Sequence, residues 1–483
     1  MDDSTVEKLP PHVLVFPFPA HSHIHSLLNL SDLLCHGGLH VTFLVADQTH
    51  RDLLENTAVR SRFDRYGSGF RFQNLRDGLH LDSQSSLDKR IEFGYSFLGV
   101  AKQLFKDVLT SYGGRRNDDA GKSSSSSITC IVADSMMAGF AMDMAEEVGI
   151  PFMCYPNVCP SDLWVTRCVA KLIEAREAPF QGDDWDVSIA NVPGLEGLLR
   201  RRDLSSFYRV GDLSDKNAQF VLNGTSQVFQ TCMILNTFEE LEGPALAQIR
   251  SQCKNIYTLG PLHEHIKTRL DSMIPSENLK KEDRGCMAWL DAQPLRSVIY
   301  VSFGSLVMIS NDQLLEFLHG LKNSGKRFLW ALPIVADQEW KNQVPADLLE
   351  DGSGKGYIVA WAPQEDVLAH KAVGGFLTHC GWNSTLESIV AGVPMVCWPQ
   401  FGDQQCISRL VAELWKIGLD MKDTCDRSII EKMINEVMDT RREEFTQSVD
   451  RIAKLAKEAV SIGGTSYINL DRLINDIRSL DTN

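Results

Sequence analysis

Three histidines at alternate positions, His21, His23 and His25, stand in "PFPAHSHIHSLLNL" straight after an apolar run near the start of the chain. Imidazole titrates near neutrality, so the pattern suits a general base or a set of metal ligands. Alternation gathers all three on one side only in an extended segment. The helical spacing of the leucines that follow argues against that, and no metal site is expected. A second stretch, "FLTHCGWNSTLES", runs a strand into a helix with Asn383 and Ser384 in its first turn. The unpaired N–H groups of such a helix end receive phosphate, and His379 and Ser384 can add side-chain donors. The glycine turn "FGSL", with Ser305, follows another strand and can face the same ligand. The plainer alternative is a strand-to-helix turn capped by Asn383 or Ser384, with Trp382 in the core. Asp134 closes the strand in "IVADSMM", where it can orient a histidine as in a triad or cap the helix that follows.

These residues need a scaffold that brings distant strand ends together. Short β-branched runs alternate with helical patterns, which predicts parallel sheets covered by helices on both faces. Strands are expected at His12 to Phe16, Val41 to Val45, Ile128 to Ala133, Pro151 to Tyr155 and Met233 to Asn236. A second set is expected at Ser297 to Phe303, Arg327 to Leu332, Gly374 to Thr378 and Pro394 to Trp398. A chain of 483 residues exceeds one core, and two doubly wound α/β domains fit it. Residues 1–259 form the first and 286–460 the second, with the polar, proline-interrupted 260–285 as linker. The stretch 113–127 reads as a surface loop. In 461–483, Leu470, Leu473, Ile474, Ile477 and Leu480 share one helical face, so this tail should dock on something.

Composition excludes several classes. The formal charge of −15 opposes unspecific nucleic-acid binding, and no apolar run is long enough to span a bilayer. Twelve cysteines without CxxC spacing read as buried small hydrophobes. The acidic N-terminus lacks the basic region of a secretory signal, so the cytoplasm is the expected compartment. No GxGxxG follows the first strand, which argues against a dehydrogenase.

The segment from Trp361 to Gln404 closely resembles the signature box of plant secondary-product UDP-glycosyltransferases. "CIVADSMMAGFAMDMAEEVGIP", "ILNTFEELE", "LGPL" and "WLDAQPLRSVIYVSFGSL" agree with that family in order and spacing, over nearly the whole chain. The resemblance implies the GT-B fold, two Rossmann-like domains facing across a cleft, with acceptor mainly in the first and sugar nucleotide in the second. It implies a last helix that crosses back onto the first domain. It also implies that Trp361 stacks on uracil, that the backbone near Ala362 and Gln364 meets base or ribose, and that Glu387 accepts the ribose hydroxyls. Ser305, His379, Asn383 and Ser384 would hold the diphosphate, while Trp382, Asp403 and Gln404 face the sugar. Gln404 stands where glucose-using members have Gln and galactose-using ones tend to have His.

Aligned with the family's usual AQGHINP, the chain reads Ala20, His21, Ser22, His23, Ile24, His25, Ser26, which puts His23 on the catalytic base and Asp134 on its partner. Ser22 gives up glycine's freedom at positive φ, and His21 and Ser26 alter the acceptor side of the loop. The expected activity is inverting, UDP-glucose-dependent O-glucosyl transfer to a hydroxyl or carboxylate of a small apolar plant metabolite. The loop region resembles members that act on iridoids and other terpenoid-derived aglycones. No cofactor or metal is expected, and the chain is expected to work as a monomer. The alternative is a sugar-nucleotide-binding protein of the same fold with altered or lost transferase activity.

Overall fold

Each buried apolar run becomes a strand of one of two all-parallel sheets. The computed structural model describes residues 9–55, 57–80, 87–112, 127–178, 184–209, 216–253, 255–270, 284–332 and 354–480. The first sheet holds β1 (His12–Phe16), β2 (His40–Val45), β3 (Phe70–Asn74), β4 (Cys130–Asp134), β5 (Phe152–Tyr155), β6 (Cys232–Leu235) and β7 (Ile256–Thr258), in the order β3-β2-β1-β4-β5-β6-β7. The second holds β8 (Val298–Ser302), β9 (Arg327–Ala331), β10 (Gly356–Val359), β11 (Val373–Thr378), β12 (Met395–Cys397) and β13 (Gly418–Asp420), in the order β10-β9-β8-β11-β12-β13. Every pairing is parallel, and the winding reverses between β1 and β4 and again between β8 and β11. Such switch points open a crevice beyond the carboxyl ends of the strands.

Side-chain alternation splits β1 between two cores. Val13 and Val15 face the helix His21–His36, whereas Leu14 and Phe16 face the helices Leu87–Ser111 and Ala138–Val148. The four strands without a counterpart in the sequence reading, β3, β7, β10 and β13, are the four edges of the two sheets.

The stretch read as linker departs from that reading in its first part. Leu262–Leu270 is a helix with Leu262, Ile266 and Leu270 in the core of the first sheet, because its apolar residues recur every four positions. Residues 271–283 and the loop 113–126 lie outside the described residues. The helix Thr465–Leu480 buries Leu470, Leu473, Ile474 and Ile477 in the same core as Val13 and Leu27. Leu480 is only partly buried at its edge. Among the described residues no helix is long and apolar enough to cross a membrane.

Candidate active site

The helix His21–His36 begins directly beyond β1, so the three histidines occupy its first turns and point different ways. His21 and His25, four apart, share a face with their rings parallel and 6.4 Å between centroids. His23 faces elsewhere, and its Nδ1 lies 2.6 Å from Oδ2 of Asp134. Among the described residues no three His, Cys, Asp or Glu side chains are grouped as metal ligands. Ser22 lies in the helical first turn and not at positive φ, so the loss of glycine there carries no backbone strain. Ser26 is buried and pairs its hydroxyl with that of Tyr155 at 2.5 Å.

Asp134 ends β4, next to β1 at the switch point, and is fully buried. Its two oxygens are used differently: Oδ2 meets His23, and Oδ1 accepts the backbone N–H of Met136 in the turn that follows, while the next helix starts from Met137 without a side-chain cap, so the capping reading of Asp134 is not met. An ionised carboxylate only accepts, so Nδ1 of His23 carries the proton and Nε2 keeps its lone pair. Burial disfavours the charged ring. The charge and hydrogen bond of Asp134, together with the charge of Asp403, outweigh that and raise the His23 pKa above 6.5. Neither flanking imidazole shares this support. Burial lowers His21, and it lowers His25 to about 4 despite the Glu365 carboxylate.

The second sheet presents its own residues at its strand ends. Ser305 follows β8 and is exposed, while Trp361 follows β10 with 53% of its surface exposed. Ala362 is buried beside it. Gln364 donates to Ser384 Oγ at 2.8 Å and to Glu387 Oε2 at 2.6 Å, which ties three of the expected nucleotide contacts into one network. Burial and the nearby Glu365 raise the Glu387 carboxyl to about 8. Arriving hydroxyl donors would lower it again.

The helix Trp382–Ala391 starts from Gly381, and no side chain caps its amides. The capping role considered for Asn383 and Ser384 is therefore absent. The Nδ2 of Asn383 instead donates to Ser22 O at 3.2 Å, and its Oδ1 accepts from Asn236 at 3.3 Å. Before the helix, Cys380 is held at φ 65°, a left-handed geometry that is costly for a side-chain-bearing residue. His379 sits between Gly304 and Gly381, where a Cβ would come within 2.7 Å and 2.5 Å of its Nε2. Burial lowers the His379 pKa to about 4, so the ring is neutral.

Trp382 commits its side chain away from the expected contact. Its indole is 4% exposed and donates to Asn236 O at 2.9 Å, so only backbone near it is left for a sugar. Gln404 Oε1 accepts from Gln400 N at 2.9 Å and Phe401 N at 3.2 Å, leaving its amide N–H groups as donors. Asp403 Oδ2 accepts from Cys159 N at 2.9 Å, and burial raises its carboxyl to about 6. Asn236 and Cys159 escaped the sequence reading. Each follows a strand of the first sheet, yet nothing in its type or spacing announces a contact across to the second.

Residues 255–458 match the UDP-glucoronosyl and UDP-glucosyl transferase family. The chain is 48% identical over 480 residues to a 7-deoxyloganetic acid glucosyl transferase of Catharanthus roseus, covering 98% of each. The chain belongs to the UDP-glycosyltransferases. It is 40% identical over 470 residues to mogroside I-A1 synthase of Siraitia grosvenorii, covering 94% of this chain and 86% of that one. Os79 of O. sativa, solved in complex with UDP, superposes with a TM-score of 0.78 at 27% identity, covering 96% of this chain and all of that one. The two facing sheets are thus the GT-B architecture of a UDP-glycosyltransferase.

The packing of His379 against two glycines generates a prediction. Gly381→Ala should push the ring away from the helix end and weaken UDP binding by about 10-fold, the scale of one lost hydrogen bond. Titration calorimetry reads this against Gly99→Ala, a position with nothing within 4 Å of the added Cβ. Equal UDP affinity in the two variants would show that His379 needs no such placement.

Proposed function

We propose that this UDP-glycosyltransferase transfers glucose from UDP-glucose, with inversion, to a hydroxyl or carboxylate of a small apolar acceptor of iridoid type. The single observation that carries the chemistry is the 2.6 Å pairing of His23 with buried Asp134, which leaves Nε2 as a base at the start of a helix facing the crevice. Nε2 takes the proton of the acceptor hydroxyl as its oxygen attacks the anomeric carbon. The bond from that carbon to the β-phosphate oxygen breaks, and UDP leaves with the electron pair. Attack from the face opposite UDP inverts the configuration. Asp134 stabilises the imidazolium formed in transit.

The departing diphosphate meets the uncapped amides of the helix Trp382–Ala391, neutral His379, Ser384, Asn383 and exposed Ser305, so no metal is needed to balance its charge. Trp361 offers its exposed indole to uracil, and the Gln364–Glu387 pair meets the ribose. Asp403 and Gln404 face the sugar, with Trp382 contributing backbone. The iridoid reading rests on the similarity to the 7-deoxyloganetic acid glucosyl transferase of Catharanthus roseus. The domain division expected from the sequence, 1–259, 260–285 and 286–460 with 461–483 returning to the first part, is kept except that the helix Leu262–Leu270 goes with the first domain, in whose core it packs. A monomer acting in the cytoplasm fits the acidic chain.

Two outcomes follow. His23→Ala should lose about 100-fold or more in turnover while still binding UDP-glucose, as expected of a positioned base. The active form is the neutral ring, so activity falls as pH drops through a pKa that lies above 6.5. Asp134→Asn removes the charge that raises this pKa, and should move the acidic limb of kcat/KM to lower pH as turnover falls. An unmoved limb in a folded variant would take Asp134 out of the role.

The donor is tested by competition in one pot containing a chelator. UDP-glucose should outrun UDP-galactose and UDP-glucuronate, and Gln404→His should narrow the glucose-to-galactose gap. Loss of all turnover that one added divalent ion restores would contradict the metal-free reading, and preference for either rival would contradict the glucose assignment.

A further inference from the structure

Beyond the sugar-facing turn lies a buried charge cluster that no step above uses. Lys422 is 5% exposed at its side chain, and its Nζ lies 2.7 Å from Asp203 Oδ1 and 3.3 Å from Asp420 Oδ2. It also donates to the backbone carbonyl of Gln405 at 2.7 Å. Three acceptors therefore meet the three N–H groups of the ammonium, and none is left for a substrate.

The surrounding groups close the network. Arg200 reaches Asp203 at 3.0 Å and Asp420 at 3.4 Å, Arg409 lies 3.6 Å from Asp203, and Ser408 bonds Asp420. Arg409 also donates to Leu198 O at 2.8 Å. Asp203, fully buried, ends a short turn on the first-sheet side of the chain, whereas Lys422 and Asp420 follow and end β13 of the second. Lys422 keeps φ at 48°, a region glycine enters more easily, so the position spends backbone strain to place this side chain. Replacing buried ion pairs by apolar residues is often neutral for stability, which makes placement the better account of the cluster.

What is placed is the first turn of the helix Gln404–Arg409. Gln405 directly follows Gln404, whose own carbonyl braces Gln400 and Phe401, and stands two residues after Asp403. We propose that Lys422, anchored by Asp203 and Asp420, is a positioning residue for the donor sugar. It locks the Asp403–Gln405 turn in register with the first sheet. The inference rests on the reading that Asp403 and Gln404 face that sugar.

The test uses the full chain as Lys422→Met and as Lys422→Met/Asp203→Asn, the second leaving no unpaired charge between these two positions if the first does not fold. UDP affinity by calorimetry should stay within about 2-fold, while KM for UDP-glucose rises by about 10-fold from displacement of the turn. The rate ratio of UDP-glucose to UDP-galactose should fall toward one. Parallel weakening of UDP and UDP-glucose, or an unchanged ratio in the folded double variant, would reject the proposal. Gln404→His separates the two levels. If it alters the donor ratio and the Lys422 variants do not, Lys422 has no positioning role. If neither alters it, the sugar-facing reading fails and the proposal with it.

Discussion

A fully buried carboxylate has to be hydrogen-bonded on both oxygens, and at Asp134 that requirement organises the site. One oxygen is filled by the local turn at Met136 and the other by His23. Satisfying it demands that β1 and β4, separated by more than a hundred residues of chain, lie side by side with their carboxyl ends level. The same bond fixes the tautomer, since the only proton that can serve it is on Nδ1. The proposed base is thus a product of sheet order, which sets the ends of β1 and β4 side by side.

A histidine prepared in this way does nothing without a donor held opposite. On the proposed reading the second sheet holds it, and contacts between the two halves converge on the strand ends: Asn383 to Ser22, Trp382 to Asn236, Asp403 to Cys159. Each joins a residue proposed for the donor to backbone of the acceptor side, so the two halves of the proposed reaction are held in register by main-chain atoms. One of the six non-glycine residues at positive φ among the described residues, Cys380, lies at the same place, before the uncapped helix. Local strain that packing elsewhere holds in place is characteristic of pre-organised sites.

Much of this was legible in the sequence, and the exceptions have causes. Central strands such as β1 and β8 are buried on both faces and read as continuous apolar runs, so their positions agree to within a residue or two. The four unread strands are all edges, short and covered on fewer sides. "FRFQN" of β3 alternates with polar residues, and β13 is "GLD". Asp134 was accessible because it ends an apolar run, whereas among three like histidines only the family resemblance singled out His23. Trp382 shows the limit of such reasoning, because an indole beside a phosphate-binding turn gives no sign that its N–H is spent on Asn236. Lys422 and Asp203 were invisible for the opposite reason: a lysine and an aspartate far apart in sequence look like solvated surface charges until the fold buries them together.

The central claim is that His23 waits in the crevice as a neutral base, protonated on Nδ1 and bare on Nε2. Nitrogen-15 NMR of the histidine rings in the UDP-bound enzyme reads this directly across a pH titration, with His23→Gln identifying the resonances. The account predicts the Nδ1–H tautomer above a pKa higher than 6.5, with a proton signal shifted downfield by the bond to Asp134. A neutral ring protonated on Nε2, or a pKa at or below 6.5, would contradict it.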